Sequence, residues 1–456
     1  MKQIQIQLDK METTGDFLKC AVWIGLPVVL QNMISSLINL LDVLMLGQLG
    51  EVAITASSVS NQWYLLFMVL ANGVASAAGM FISQFWGCHD VRSIHSYMGI
   101  MFLLSLLLAF VFGGLALINP WMIIRFYSMD ENVIQEGGRY LRIISLTFWL
   151  YAVNLTCGTS LRSVGQTRIP MIASAISLCC NLFGNYILIF GKFGAPQLGI
   201  TGAAYATVLA RVMEAAMLLA YIFVKRPPVY ASIREFISIS KDQLFHFFTF
   251  GGMIILGEMV YAIGSNLYNI AYKYTGTQAQ ASLQIIVSIQ ELTLLFCGGF
   301  GTATSVILGM MLGMGDFTRA KRVSRIFTAA AILTGTVMGG LVLLLSPFIL
   351  NVFQVSMQSK SHIRIMLFIM AAAIPLRTIV YMDICGILRS GGDNAYCFLA
   401  NLIGVWCVGL PLVFLTAVVL KLPIYVVYLM AVMEEAGKLL ICGPRVKKDK
   451  WLRNLT

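Results

Sequence analysis

The chain has 456 residues, of which 59% are hydrophobic and 11% charged, and its formal net charge is +11 at pH 7. Charged residues make up about a quarter of an ordinary soluble domain, so this composition excludes a soluble globular protein. The basic balance does not indicate nucleic-acid binding, because the lysines and arginines lie in short loops and near the C-terminus, where they set membrane topology.

Several hydrophobic segments exceed the roughly 18 residues that a membrane-spanning helix needs. Among the segments that contain no charged residue at all are 98–118, 143–161, 169–191, 326–350 and 395–420. Membrane β-barrels are excluded, because their strands are short and alternate between apolar and polar residues. The sequence therefore predicts an all-α polytopic membrane protein.

Twelve transmembrane helices are predicted from the spacing of apolar segments and polar loops. They cover residues 18–46, 52–86, 94–118, 139–160, 170–190, 200–224, 246–272, 278–311, 324–350, 364–388, 395–419 and 422–442. If the N-terminus is cytoplasmic, most lysines and arginines fall on cytoplasmic segments. We therefore expect the protein to lie in a cell membrane with both termini on the cytoplasmic side.

The longest polar connection follows the sixth span and divides the chain into two halves. The predicted organisation is a cytoplasmic N-terminal segment 1–16, an N-lobe 17–224, a cytoplasmic linker 225–241, a C-lobe 242–442 and a basic cytoplasmic tail 443–456. At a shift of 226 residues, Gly50, Gly73 and Asp90 match Gly276, Gly299 and Asp316, and LRSVG at 161–165 matches LRSGG at 388–392 at a shift of 227. The two six-helix lobes are therefore predicted to be pseudo-symmetric repeats around a central cavity.

The first span carries a polar stripe that ends in a carboxylate. Asn32, Ser35, Asn39 and Asp42 step by three, four and three residues, which places them on one face of a helix. A carboxylate in a membrane helix costs about 2.5–3.5 kcal/mol on insertion scales, so a chain that keeps one is expected to use it. Alternatively, Asp42 lies at the membrane surface before the turn at 47–50.

Two further spans of the N-lobe carry polar faces. In the fifth span Ser174, Ser177, Asn181 and Asn185 share one face, and the fourth span presents Thr147, Tyr151 and Asn154 in the same way. With Asp42 they predict a polar pocket, whose candidate members are Asn39, Tyr151, Asn154, Asn181 and Asn185. The alternative is that these groups only hold helices together.

The C-lobe is the more acidic half. Glu258 lies in the seventh span, Gln284 and Glu291 share a face of the eighth, and Asp383 lies in the tenth. Gln284 and Glu291 are further candidates for polar contacts with a substrate. A buried carboxyl can carry protons, and one ringed by oxygen atoms can hold Na⁺, so Asp42, Glu258 and Asp383 are candidate cation-coupling residues. A Na⁺ ion is conceivable at Glu258 and Asp383, whereas no structural metal is expected.

Other charged residues in the spans are interpreted as structural. Arg211 and Glu214, three residues apart, are expected to form an internal ion pair. Glu434 and Glu435 are expected to reach lipid headgroups or to pair with Lys438.

Enzyme motifs are absent from the sequence. The four histidines do not form a metal-binding pattern with cysteine or aspartate, and no GxxxxGK[ST] phosphate loop occurs. We therefore expect neither catalysis nor a cofactor, and energy for any transport must come either from an ion gradient, with Na⁺ or H⁺ as the coupling ion, or from downhill flow.

Five stretches of the sequence resemble the multidrug and toxic compound extrusion transporters. They are LPVVLQNMISSLINLLDVLMLGQLG, FISQFWGCHD, LRSVGQTRIP, NLFGNYILIFGKFGAPQLGITGAAYATVLAR and GILRSGGDN. The resemblance covers about residues 17 to 442.

This resemblance implies twelve helices in two six-helix lobes, alternating access, and export of organic, often cationic, compounds against inward Na⁺ or H⁺. It implies that Asp42, Asn181 and Asn185 belong to an N-lobe site, and Glu258 and Asp383 to a C-lobe cation site. Asn185 departs from members that carry aspartate at that position, which argues against a proton mechanism based on the N-lobe alone.

The leading hypothesis is a secondary antiporter for amphipathic organic cations, acting as a monomer in the lipid bilayer. A flippase for a lipid-linked precursor on the same fold is the alternative, although it would favour a basic cavity. A membrane enzyme would need a clustered nucleophile, base or metal set, and a passive channel would conduct without ion coupling.

The predicted topology is testable by cysteine labelling. In a cysteine-free background, single cysteines at positions 2 and 450 should resist an impermeant maleimide in intact cells, and a cysteine at position 276 should react. Labelling at both termini from outside would contradict the predicted orientation.

Overall fold

The computed structural model describes residues 13–352 and 357–456. Within these ranges every regular element is a helix, and the helices follow one another with short connections. The predicted all-α class is therefore confirmed for the described part of the chain. Residues 1–12, which belong to the predicted N-terminal segment, lie outside it.

The first compact unit contains Leu30–Phe247. It takes in the second part of α1, which runs Thr14–Gly47 through the interior Pro27. The other helices of this unit are α2 Glu51–Gly87, α3 Val91–Ile118, α4 Pro120–Tyr127, α5 Glu131–Ile144, α6 Leu146–Ser163, α7 Arg168–Phe190, α8 Ile200–Lys225 and α9 Ile233–Ile237.

The second compact unit contains Phe248–Thr456 together with the described residues 13–29. Its elements are α10 Lys241–Tyr272, α11 Thr277–Gly313, α12 Phe317–Val352, α13 Met357–Tyr381, α14 Asn394–Asn401, α15 Leu410–Phe414 and α16 Ile424–Lys447. Its core is built from aliphatic and aromatic side chains of α10, α11, α13 and α16, with Ile286, Met366, Met370 and Val427 fully buried.

Ten described helical spans are long and apolar enough to cross a membrane, and the bent pair α5–α6 makes eleven. The pair bends by 41° at Ser145, which the sequence did not predict. Ser145 Oγ donates to the Arg142 carbonyl at 2.6 Å, and such back-bonding tends to bend helices. The helix α16 coincides with the twelfth predicted span but contains Glu434, Glu435 and Lys438, which lower its hydropathy.

Three π-helical segments interrupt the tenth and eleventh spans. They cover Met382–Leu388, Leu402–Gly409 and Leu415–Val419. The first continues α13 and includes Asp383. Such widened turns are uncommon and frequently lie at functional sites, and no periodicity in the sequence indicated them.

The linker between the two predicted lobes packs against α3 within the first unit. Ser96 Oγ donates to the Ser238 carbonyl at 3.0 Å, and His95 Nε2 lies 3.0 Å from the Pro228 carbonyl oxygen. In α9, Ser232 and Glu235 form a capping box. Hydrogen bonds from the Ser232 backbone and hydroxyl lower the pKa of the exposed Glu235 carboxyl.

The C-terminal segment packs on the loop after the tenth span. Arg445 Nε donates to Asp393 Oδ2 at 2.5 Å, and Arg453 Nη2 lies 3.8 Å from Asp393 Oδ1. Trp451 is fully buried, and a Cβ atom at Gly391 would lie 1.8 Å from its carbonyl oxygen. The basic residues of this segment therefore serve in part to anchor it to the C-lobe.

A glycine pair on α3 tests the packing of the linker. A Cβ atom at Gly99 would lie 2.0 Å from the Phe236 carbonyl oxygen, whereas a Cβ at Gly114 would meet nothing within 4 Å. Gly99→Ala should displace α9 and destabilise the protein by about 1–3 kcal/mol through overpacking. Gly114→Ala should leave stability unchanged or slightly raised, because alanine is the better helix former.

Thermal unfolding of both variants in detergent would measure the difference. Equal melting temperatures for the two variants would contradict the observed packing of the linker on α3.

Candidate functional site

Asp42 lies in a cluster of polar side chains from α1, α7 and α8, which we call the Asp42 cluster. Asn185 Nδ2 donates to Asp42 Oδ1 at 2.5 Å and to Asn181 Oδ1 at 3.2 Å, and Asn181 Nδ2 donates to Thr207 Oγ1 at 3.2 Å. Asp42 is half-buried, and Asn181 and Asn185 are buried. The structure thus joins the predicted stripes of the first and fifth spans.

The Asp42 cluster has an excess of acceptor atoms. Asn185 Oδ1 is buried without a hydrogen-bond partner, and Asp42 offers a carboxylate beside it. Asn181 Oδ1 and the Thr207 hydroxyl complete a set of carboxylate, amide and hydroxyl oxygens. Oxygen ligands of this kind suit a hard cation or a proton. The unpaired Asn185 Oδ1 can accept one more hydrogen bond or contact one cation.

A second cluster, the Glu214 cluster, lies on α6, α7 and α8. Glu214 accepts from Ser174 Oγ at 2.7 Å, Arg211 Nη1 at 2.9 Å and Asn154 Nδ2 at 3.3 Å. The Arg211–Glu214 ion pair that the sequence indicated is therefore present. Asn154, a predicted pocket residue, is held by this carboxylate.

Tyr151 connects the Glu214 cluster to α2. Its hydroxyl oxygen accepts from Asn72 Nδ2 at 3.1 Å, and the Arg211 guanidinium lies 5.9 Å from its ring centroid. Sequence reasoning missed Asn72, because this single amide lies outside any polar stripe of α2. The Asn39 side chain, also predicted for the pocket, lies outside the described residues.

Helices α1 and α7 are tied together at two levels. Gln31 Nε2 donates to Ser174 Oγ at 2.9 Å, and the Asp42–Asn185 bond forms the other level. Both contacts join residues 143 apart in sequence, so the two helices run parallel in constant register. The levels are eleven residues apart on each helix, about 16 Å at 1.5 Å per residue.

The C-lobe carboxylates lie in different environments. Arg389 Nη2 donates to Glu258 Oε1 at 3.0 Å, whereas Asp383 is buried and its Oδ1 has no hydrogen-bond partner. Gln284 and Glu291 are exposed on α11. No group of three or more His, Cys, Asp or Glu residues with metal-binding geometry occurs in ranges 13–352 and 357–456.

Four further charges are paired inside the C-lobe. Arg377 Nε donates to Glu435 Oε1 at 3.1 Å, Lys438 pairs with Glu434, and the Tyr268 hydroxyl donates to Glu434 Oε2 at 2.7 Å. Glu434 and Glu435 are buried, so the expectation that they might reach headgroups is wrong and the Lys438 alternative holds for Glu434. A charge that is removed from water needs such partners, and only the folded helices bring Arg377 and Tyr268 within reach.

Comparison with known proteins identifies the family. The sequence model of the MatE family matches residues 27–187 and again residues 254–415. The chain belongs to the MatE family.

The second match to the MatE model begins 227 residues after the first, at 254 against 27. This is the shift at which LRSVG and LRSGG correspond, so the predicted internal repeat is supported by the family itself. The predicted resemblance to multidrug and toxic compound extrusion transporters is confirmed.

Relatives within the family cover almost the whole chain. A probable multidrug resistance protein NorM of Thermotoga maritima is 24% identical, covering 88% of this chain and 86% of its own length. A probable multidrug resistance protein YoeA of Bacillus subtilis is 23% identical, covering 87% and 86%.

The fold agrees with solved MATE structures. A crystal structure of MATE in the bent conformation superposes with a TM-score of 0.86 over 96% of this chain and 97% of that chain, at 18% identity. The predicted fold of twelve transmembrane helices in two six-helix lobes is therefore confirmed, and the chain is a multi-pass membrane protein of the MatE family.

The Asp42 cluster generates a direct prediction. Asp42→Asn keeps the shape of the side chain but removes the charge that accepts from Asn185 and that a cation would need. Ion-driven export should fall at least about tenfold, the usual effect of removing one charged hydrogen-bond partner. Everted-vesicle efflux of a fluorescent organic cation measures this.

Asp16→Asn is the control on the same helix, since Asp16 is exposed and bonds only its neighbour Thr13 among the contacts observed. Export near the wild-type rate in Asp42→Asn would reduce the cluster to a packing role.

Proposed function

We propose that this MatE protein exports amphipathic, often cationic, organic compounds by alternating access, in exchange for inward Na⁺ or H⁺. The observation that carries the proposal is the half-buried Asp42 carboxylate with the unpaired Asn185 Oδ1 beside it. The relatives named as probable multidrug resistance proteins support the substrate class. No catalytic step and no cofactor are part of the proposal.

The N-lobe would bind the driving ion through the Asp42 cluster. A Na⁺ ion would take oxygens of Asp42, Asn181, Asn185 and Thr207 as ligands. A proton on Asp42 would instead add an O–H donor and remove the negative charge of the carboxylate, which weakens the hydrogen bond from Asn185. Either event changes the contact between α1 and α7, so ion occupancy would be linked to helix packing.

The C-lobe would contribute Asp383 and Glu258. Asp383 is buried with an unpaired oxygen, which a proton or Na⁺ would satisfy at once. Glu258 is one-third exposed and holds Arg389, so it remains reachable for an ion. Inward movement of one charge supplies about 2.3 kcal/mol per 100 mV, enough for a roughly fortyfold substrate gradient.

Substrate recognition in the N-lobe would use the polar residues Tyr151 and Asn154, and in the C-lobe Gln284 and Glu291, in each case together with apolar walls. Arg211 and Arg377, which lie in the interiors of predicted spans, are both neutralised by carboxylates. They therefore add no net positive charge, which favours export of organic cations over the alternative of flipping an anionic lipid-linked precursor. We propose that the protein lies in the cell membrane as a monomer, with both termini on the cytoplasmic side.

The two C-lobe carboxylates are testable by a double-mutant cycle. Glu258→Gln and Asp383→Asn each keep the side-chain shape and remove the charge, so each should abolish ion-dependent efflux. The combined variant should cost little more than either alone, because residues that act as a unit are non-additive. Substrate binding should change less, as measured by quenching of a fluorescent ligand in detergent.

Additive losses in that cycle would instead indicate two independent ion sites. Undiminished coupling in both single variants would leave the Asp42 cluster as the coupling site. Wild-type efflux that ignores both Na⁺ and pH gradients would contradict antiport itself.

A further inference from the structure

One contact occurs in both lobes at corresponding positions. In the N-lobe, Arg162 Nη1 donates to Gln31 Oε1 at 3.2 Å, and in the C-lobe Arg389 Nη2 donates to Glu258 Oε1 at 3.0 Å. Both pairs join residues 131 apart. Each C-lobe partner lies 227 residues after its N-lobe counterpart, which is the shift of the internal repeat. The two contacts are therefore symmetry equivalents.

The two equivalents differ in charge. The N-lobe arginine meets a neutral amide, whereas the C-lobe arginine meets a carboxylate. Because Gln31 suffices in the N-lobe, the fold requires an acceptor at this position but not a negative charge. Joining the first and fourth helices of the lobe therefore does not explain why Glu258 carries a negative charge.

The Arg389–Glu258 ion pair is partly exposed and is held by a single hydrogen bond. The Glu258 side chain is 33% exposed, whereas that of Arg389 is only 13% exposed, so Glu258 is the more accessible partner of the pair. One guanidinium nitrogen bonds to Glu258, and Arg389 Nε is buried without a partner. The pair is thus not the two-bond fork that makes arginine–carboxylate pairs strong.

We propose that Arg389 is a tethered counter-ion that occupies Glu258 in the ion-free protein and that the driving cation displaces it. This rests on the proposed antiport function and adds a residue that regulates its C-lobe site. The displacement breaks the hydrogen bond from Arg389 to Glu258 and forms either an ionic contact between Glu258 and Na⁺ or, when the cation is a proton, an O–H bond on the Glu258 carboxyl; no other bond changes.

The exchange has a consequence for coupling. In the paired state Glu258 and Arg389 together carry no net charge. When the driving cation occupies Glu258, the guanidinium adds an uncompensated positive charge to the C-lobe. A positive charge there disfavours an organic cation nearby, so ion and substrate would exclude each other as antiport requires.

The test is to remove the counter-ion while keeping Glu258. Arg389→Gln should lower the half-saturating concentration of the driving cation for efflux about three- to tenfold, since a partly exposed ion pair no longer competes. Na⁺ is titrated at constant pH, and pH is varied at constant Na⁺. Tyr381, Cys385 and Cys397 interact electrostatically with Arg389, and Lys438 interacts with Cys385, so the same two titrations are run on Tyr381→Phe and Cys385→Ser.

The matched control is Arg162→Gln in the N-lobe. It removes the equivalent arginine, whose partner Gln31 has no charge to release. Its half-saturating cation concentration should equal that of the wild type. A change of the same size in Arg162→Gln and Arg389→Gln would overturn the proposal, because general loss of positive charge would then explain both.

Arg389→Met, with an unbranched apolar chain, is the second variant if the glutamine protein fails to fold, and the same fall is expected. An unchanged half-saturating concentration in folded protein contradicts the proposal. Failure of both variants to fold contradicts it too, because a counter-ion released in every cycle cannot be essential to the fold. Wild-type efflux that responds to neither Na⁺ nor pH would instead refute the proposed antiport function. Failure of that function can thus be distinguished from failure of the counter-ion proposal.

Discussion

The cost of a carboxylate in a low-dielectric interior governs the arrangement of polar side chains in this protein. Isolated charges at membrane depth cost several kcal/mol, so each must meet a donor, an opposite charge or an ion. Asp42 meets an asparagine, Glu214 an arginine and a serine, and Glu434 a lysine and a tyrosine. Asp383, buried with an unpaired oxygen, departs from this pattern and is for that reason a functional candidate.

At positions related by the internal repeat, the two lobes use different side chains as hydrogen-bond acceptors. Gln31 with Arg162 corresponds to Glu258 with Arg389, and the Tyr221 hydroxyl on Gln166 Oε1 resembles Arg445 on Asp393. In both comparisons the N-lobe uses a neutral acceptor where the C-lobe uses a carboxylate. The internal repeat therefore provides pairs of equivalent positions at which the charge of the acceptor differs while the surrounding helices correspond.

This asymmetry bears on how one fold can couple two ligands. Neutral hydrogen bonds contribute about 1 kcal/mol net, whereas bonds to charged groups contribute about 1.5–3 kcal/mol. The N-lobe concentrates its charge in the Asp42 and Glu214 clusters, whose members on α7, Ser174 and Asn185, are three helical turns apart. The C-lobe distributes charge over Glu258, Asp383 and the pairs around Arg377 and Lys438, so a cation that bound at Glu258, as we propose, would exchange with an existing pair.

The sequence by itself determined the class, the spans, the internal repeat and the polar faces, because hydropathy and helical period act over neighbouring residues. Asn181 and Asn185, four residues apart, were therefore assigned to one face. Only the tertiary structure decided that Asn185 meets Asp42 143 residues away, that Glu258 holds Arg389, and that Asp383 lies in a π-helical turn. Such partners depend on how helices pack, and periodicity within one helix carries no information about its neighbour.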